Sequence, residues 1–166
     1  MDSPTDPVVP AKTPPSLFIR LVASALFTGY SPLASGTVAS ALALLVYLIP
    51  GFENPYVMMT AMTAAFIAGT YVGDRMEAYY GPDPAEVTID EVLGMWFSLF
   101  LLPKDPVLFI SGFFIFRILD IVKPYPARKF DRMRGGFGIM MDDVVVAFYT
   151  NLILHAVAAV RVFAGL

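Results

Sequence analysis

The sequence predicts an all-α protein, a compact bundle of membrane-embedded helices of which some are too short to span. Two observations point there. The 166 residues are 57% hydrophobic with a mean hydropathy of +0.69, above the roughly 45–50% apolar content of soluble domains. The apolar residues also fall in runs of about ten to twenty, helical and near-spanning lengths, and Pro and Gly, which break helices, separate most of these runs. The length suits one domain, expected over residues 16–166 behind a proline-rich, disordered tail at 1–15 that lacks the basic start and apolar core of a signal peptide.

Residues 17–27, apolar apart from Arg20, read as a helix too short to cross the hydrocarbon, lying at the interface or against the bundle. A turn-rich linker follows at 28–37. The next apolar helix covers about 38–49 and ends at Pro50-Gly51. Ser35 or Thr37 can cap it; alternatively Thr37 and Ser40, at a helix N-terminus beside a glycine, can bind an anion such as phosphate. Residues 56–73 form a charge-free stretch of eighteen, close to a span, and small residues at 61, 64, 65, 68 and 69 suit close helix packing. Asp74, Arg75 and Glu77 follow, with Asp74 either a metal ligand or an interfacial charge.

After the loop 80–84, Asp90-Glu91 adjoin the apolar segment 92–102. An unpaired buried carboxylate costs several kcal/mol, so such acids are paired, metal-bound or protonated; they can also complement the dipole of a first helical turn. Segments 92–102 and 107–116, parted by Pro103-Lys104-Asp105-Pro106, read as a buried or re-entrant helical hairpin. Arg117 and Asp120 share one face of the second helix, which the prolines at 124 and 126 stop. Residues 127–133 form a short basic helix or turn. Gly135-Gly136-Phe137-Gly138 reads as flexible backbone able to approach a ligand. The last helix runs from 144 to about 163, with Asp142-Asp143 at its start and one of the two as a cap. His155, one turn from Asn151, reads as a hydrogen-bonded packing residue, over a helical turn from the charged cluster.

Charge concentrates at 117–143, which holds six of the eleven Lys and Arg residues and four of the fourteen acids. Carboxylates that can hold a divalent metal lie here among cations that can neutralise a phosphate. The bland alternative is a solvated loop obeying the positive-inside bias. The absence of cysteine excludes thiolate nucleophiles and Cys-ligated metals. A single histidine excludes a phosphohistidine mechanism with a second acid/base histidine. Neither the Asp-x-Asp-x-Thr/Val signature of haloacid dehalogenases nor the Asp-Gly…Ala-Arg…Gly…Asp…Asp pattern of CDP-alcohol phosphotransferases occurs. A net charge of −3 gives no reason to expect nucleic acid. What remains is carboxylates holding Mg²⁺, with Arg and Lys on the phosphoryl oxygens and either metal-activated water or a carboxylate attacking phosphorus. The competing class is a non-enzymatic anionic-lipid-binding scaffold or small transporter subunit, which has no need to bring Asp90-Glu91 and Asp142-Asp143 together.

Four stretches carry a family resemblance: Gly29-Tyr30-Ser31-Pro32 with Ser35-Gly36-Thr37-Val38-Ala39-Ser40; Asp90-Glu91-Val92-Leu93-Gly94-Met95; residues 117–126, Arg-Ile-Leu-Asp-Ile-Val-Lys-Pro-Tyr-Pro; and residues 135–144, Gly-Gly-Phe-Gly-Ile-Met-Met-Asp-Asp-Val. In this order they resemble the successive motifs of phosphatidylglycerophosphatase A. Ser35 and Ala39 stand where that family more often has Pro and Gly. The resemblance implies an all-α enzyme of the bacterial inner (cytoplasmic) membrane, its site facing the cytoplasm, that hydrolyses phosphatidylglycerophosphate to phosphatidylglycerol and inorganic phosphate with Mg²⁺. The family pattern falls on Asp90, Glu91, Asp120, Asp131, Asp142 and Asp143 as catalytic acids. It falls on Thr37, Ser40, Arg117, Lys123 and Arg128 as the substrate-binding set, with Arg117, Lys123 and Arg128 as phosphate binders. Asp90, Glu91, Asp142 and Asp143 are the metal ligands it implies, with Asp120 or Asp131 as further candidates.

Overall fold

The computed structural model describes residues 13–165. Every regular element among them is helical: α1 (Leu17–Ala23), α2 (Ser35–Tyr47), α3 (Pro55–Tyr80), α4 (Ile89–Ser98), α5 (Pro106–Val122), α6 (Ala127–Asp131) and α7 (Gly136–Phe163), with one 3₁₀ turn at Thr28–Tyr30. Of the tail expected over 1–15, residues 1–12 lie outside the described residues, as does Leu166.

Local chemistry explains most boundaries. The Asn54 side chain accepts a hydrogen bond from the Tyr56 amide at 2.9 Å and Pro55 follows, the cap and first-turn proline that start a helix. Asp105 and Pro106 repeat the arrangement for α5, with Asp105 Oδ1 accepting from Val107 and Leu108. α1 stops four residues short of the expected Phe27. The Ser24 hydroxyl donates to the Arg20 carbonyl and accepts from the Phe27 amide, while Ala25, Leu26 and Phe27 all take positive φ, so the chain turns sharply instead of continuing. α2 begins at Ser35, three residues earlier than expected, behind a left-handed Ala34 and without a side-chain cap. The capping role considered for Ser35 or Thr37 is therefore not realised; the Ser35 hydroxyl donates to the Ala85 carbonyl instead.

The larger corrections concern α3 and α7. α3 continues past Gly73 to Tyr80, and α7 starts at Gly136, so Gly136 and Gly138 are helical and buried rather than flexible. A Cβ on Gly136 would overlap the Thr70 carbonyl, and one on Gly138 would overlap the Met133 carbonyl. Gly136 thus marks a close contact of α7 with α3 of the kind membrane bundles use, while Gly138 lies under the turn at Met133 that leads into α7. Asp74 Oδ1 accepts from the Gly136 amide at 2.7 Å and Glu77 accepts from the Gly135 amide. Two acids of α3 thus satisfy the free amides that open α7 and complement its dipole. Asp74 is accordingly an N-terminal anchor for α7.

α7 packs against α3, α4, α5 and α6 and is the spine of the bundle. Its Asn151 amide donates to the carbonyls of Phe97, Ser98 and Phe100, tying down the free end of α4. His155 lies on the exposed side of the same helix and hydrogen-bonds the Asn151 carbonyl at 3.0 Å. Tyr47, Met58, Met95, Leu99, Phe116 and Leu154 fill the core. α3 and α7 are long and apolar enough to cross a membrane, yet only 22% and 28% of their most apolar stretches is buried. The core helix of a soluble protein would be mostly covered. α5 adds an exposed stripe of Ile110, Phe114, Ile118 and Ile121, which needs an apolar surrounding as well.

Candidate active site

The site gathers where α3 ends and α7 begins. Asp90 and Glu91 occupy the first turn of α4. That turn is held because the Thr88 amide donates to the Ala23 carbonyl at 2.9 Å and its hydroxyl meets the Thr28 hydroxyl at 3.1 Å. Arg117 and Asp120 come from the last turns of α5. Asp142 and Asp143 lie in the second turn of α7, about 10 Å along the helix from its start, so neither caps it. Asp90 Oδ1, Glu91 Oε2 and Asp143 Oδ2 are buried without a hydrogen-bond partner among the described residues.

Two triads result. Asp90, Glu91 and Asp143 each offer a carboxylate oxygen within 4.8 Å of the others, and so do Asp120, Asp142 and Asp143. Asp143, 2% exposed, belongs to both. The two acidic pairs, some fifty residues apart in sequence, therefore converge, an arrangement that a lipid-binding scaffold has no use for.

The cations are ordered around them. Arg117 Nη1 lies 2.9 Å from Asp120 Oδ2 and 4.0 Å from Glu91 Oε1, while its Nε has no partner. Lys123, in the left-handed conformation that ends α5, places its Nζ 2.7 Å from Asp131 and 3.8 Å from Asp120, and pairs with Asp142. Burial alone would lower the Lys123 ammonium, but the charge of Asp142 and the hydrogen bonds to Asp131 and Asp142 hold it well above the ordinary lysine range. Burial, and then the charge of Glu91, pushes the Asp90 carboxyl well above its ordinary value. Burial raises Glu91 too, against the attraction of Arg117. Acids packed this way are poorly compensated by the protein alone.

Of the residues singled out by sequence, Asp90, Glu91, Arg117, Asp120, Lys123, Asp142 and Asp143 line one cavity of about 360 Å³. Asp131 reaches it through Lys123. Thr37 is not among the lining residues, Ser40 is buried one turn further along α2 with its hydroxyl unpartnered, and Arg128 donates to the Val122 carbonyl at 3.0 Å, outside the acidic cavity. Two further lining residues bear on the chemistry, Gly36, which the sequence offered only as the glycine beside Thr37, and Asp83, which it did not single out. Gly36 presses its backbone against the site: a Cβ there would overlap Glu91 Oε1 and come within 2.9 Å of both Arg117 Nη atoms. Asp83, held in a positive-φ turn between Pro82 and Pro84, is the other, and burial raises its carboxyl. An acid wedged between two prolines shortly before Asp90-Glu91 was the available signal.

Carboxylates gathered around shared space, with a guanidinium and an ammonium beside them, are the groups that hydrolysis of a phosphate ester can use. The sequence profile of the phosphatidylglycerophosphatase A family matches residues 21–158, and the chain belongs to that family. A protein of Escherichia coli named phosphatidylglycerophosphatase A is 34% identical over 82% of this chain and 81% of its own. A Haemophilus influenzae protein of the same name is 34% identical over 61% and 63%. A Bacteroides thetaiotaomicron protein, provisionally named a phosphatidylinositol-3-phosphatase, is 36% identical over 87% of this chain and 95% of its own. No solved structure matches the chain.

Proposed function

We propose that the chain removes the terminal phosphate of phosphatidylglycerophosphate in a Mg²⁺-dependent hydrolysis at the membrane surface, yielding phosphatidylglycerol and inorganic phosphate. The observation that carries this reading is the pair of carboxylate triads sharing Asp143, with buried oxygens on Asp90, Glu91 and Asp143 that no donor among the described residues satisfies. All-oxygen donor sets of this kind suit a hard divalent cation. Asp90, Glu91, Asp142 and Asp143 would hold it, with Asp120 beside them. The chemistry Mg²⁺ supplies in such a set is charge neutralisation at the phosphoryl oxygens and acidification of water. Arg117 and Lys123 bind the remaining phosphoryl oxygens and fix the phosphorus against the acids. The net reaction forms one bond from a water-derived oxygen to phosphorus, breaks the ester P–O bond and leaves a proton on the departing glycerol oxygen.

The test is phosphate release from purified protein in detergent, with and without Mg²⁺. Metal-dependent release is expected. Folded protein that releases phosphate equally well in chelator would remove the metal from the reading. Mg²⁺ is also expected to raise the unfolding temperature, because a ligand at a hundredfold excess over its Kd stabilises by about 2.7 kcal/mol. A second head group enters the same assay, since the Bacteroides relative provisionally named for phosphatidylinositol 3-phosphate is 36% identical over nearly its whole length. Both lipids carry a phosphomonoester on a head group already joined through a phosphodiester. Faster turnover of the inositol lipid would exchange the substrate and keep the chemistry.

The site's place at one end of α3 and α7, where the cations at positions 123–134 also collect, supports a site on the cytoplasmic face of the inner membrane. The chain has no cysteine, so a single cysteine introduced at Lys129 reports topology. In intact spheroplasts an impermeant maleimide is expected to leave it unlabelled and to label it after permeabilisation. Labelling of intact spheroplasts would reverse the orientation.

A further inference from the structure

Beside the acidic cavity, on the other side of Lys123, lies an open hollow of about 640 Å³ lined by Lys123, Pro124, Tyr125, Arg128, Lys129 and Arg132. We propose that this hollow is a second phosphate subsite, which holds the phosphodiester of the lipid while its terminal phosphomonoester lies among the acids. The proposal rests on the phosphatase reading above and says how the enzyme would tell a two-phosphate head group from a simple one.

Lys123 is the one residue that lines both cavities. Its ammonium faces Asp142, Asp131 and Asp120 on the acidic side, so it serves the terminal phosphate there and forms the wall of the hollow rather than a free cation within it. Arg128 is partly spent on the Val122 carbonyl at the end of α5. Lys129 and Arg132 differ from both. They are exposed, stand in α6 and at the residue that ends it, both line the hollow, and they have no carboxylate partner among the described residues.

A hollow with two uncommitted cations and uncharged walls from Pro124 and Tyr125 favours an anion of low charge. The phosphodiester of a glycerophospholipid is such an anion. A short polyol joins it to the terminal phosphate, and that bridge would pass over the Lys123 stem. Phosphatidic acid has no phosphodiester, so it can fill the acidic cavity but not both at once. The attraction of a generally anionic membrane surface for exposed cations is the competing source of the same charge pattern, and the test separates the two.

The experiment compares kcat/KM on phosphatidylglycerophosphate and on phosphatidic acid, in neutral detergent micelles with Mg²⁺, for the wild type, the Lys129→Gln/Arg132→Gln double variant and Arg132→Lys. The wild type is expected to prefer the two-phosphate lipid. The double variant is expected to lose about tenfold or more of that preference, through a higher KM for the two-phosphate lipid, as loss of a charge-assisted contact requires. Arg132→Lys, which keeps the charge, is expected to retain most of it. An unchanged preference ratio would overturn the subsite, whether both substrates slow together or neither does. A defect that appears only in micelles doped with anionic lipid would assign the cations to surface attraction and overturn it as well. An active wild type without preference sinks the subsite alone, whereas a folded wild type inert on both lipids sinks the phosphatase reading and the subsite with it.

Discussion

Asp143→Asn is expected to reduce Mg²⁺-dependent phosphate release by more than the roughly 100-fold that loss of an outer-shell group costs at a metal site. Asp143 is the residue common to both triads and the most buried of the four acids assigned to the metal, so its loss weakens both sets at once. The amide is isosteric and keeps one oxygen, so the helix and its packing stay intact. Removing a buried carboxylate from among Asp90, Glu91, Asp120 and Asp142 also relieves like-charge repulsion. The metal-free variant should therefore unfold at or above the wild-type temperature, while the rise on adding Mg²⁺ should shrink. Assays of phosphate release and thermal unfolding on the same preparation check both halves. Turnover within tenfold of wild type would overturn the shared role of Asp143, and a large fall in the metal-free unfolding temperature would make it a structural residue.

Gly36→Ala is expected to lower kcat/KM on the order of 100-fold, the scale at which a displacement of about 1 Å acts on a positioned catalytic group. The residue carries no chemistry. It lies in the first turn of α2, and the added methyl would occupy the space of Glu91 Oε1 and crowd the Arg117 guanidinium, so the acid and the cation that face each other across the site must both shift. In a helix the same change ordinarily stabilises by about 0.5–1 kcal/mol. A fall in activity at unchanged or higher unfolding temperature would thus separate displacement of the site from damage to the fold. Wild-type kinetics in the Ala variant would show that the α2 turn lies further from the reacting groups than its contacts imply.

How much of this was legible beforehand differs from element to element. The start of α5 at Asp105-Pro106 could be read directly, because cap and proline act through their immediate neighbours. The same local signals misled at Gly135-Gly136-Phe137-Gly138. Glycine in a sequence states only that a Cβ is missing. Whether that means a mobile loop or a backbone pressed against the Thr70 carbonyl depends on α3, more than sixty residues away. Asp74 and Glu77 looked like charges left at the end of a span for a related reason, since their partners are the amides that open α7. Asp142-Asp143 looked like a helix start because the six helical residues that precede them lie in a stretch rich in glycine.

The sequence by itself determined the class of the fold, the breakers that divide it, and the pool of residues from which the site is drawn. Composition and hydropathy act locally or sum over the chain, and they need no knowledge of which segments meet. The tertiary structure alone decided that Asp143 joins both triads, that Gly36 and Asp83 enter the site while Thr37, Ser40 and Arg128 stay outside the acidic cavity, and that Lys123 divides an acidic cavity from a basic one. Those facts follow from helix packing. The close approach of α3, α4 and α5 to α7, which small residues at the crossings allow, brings carboxylates from separate segments within a few ångströms of each other, a distance on which spacing along the chain carries no information.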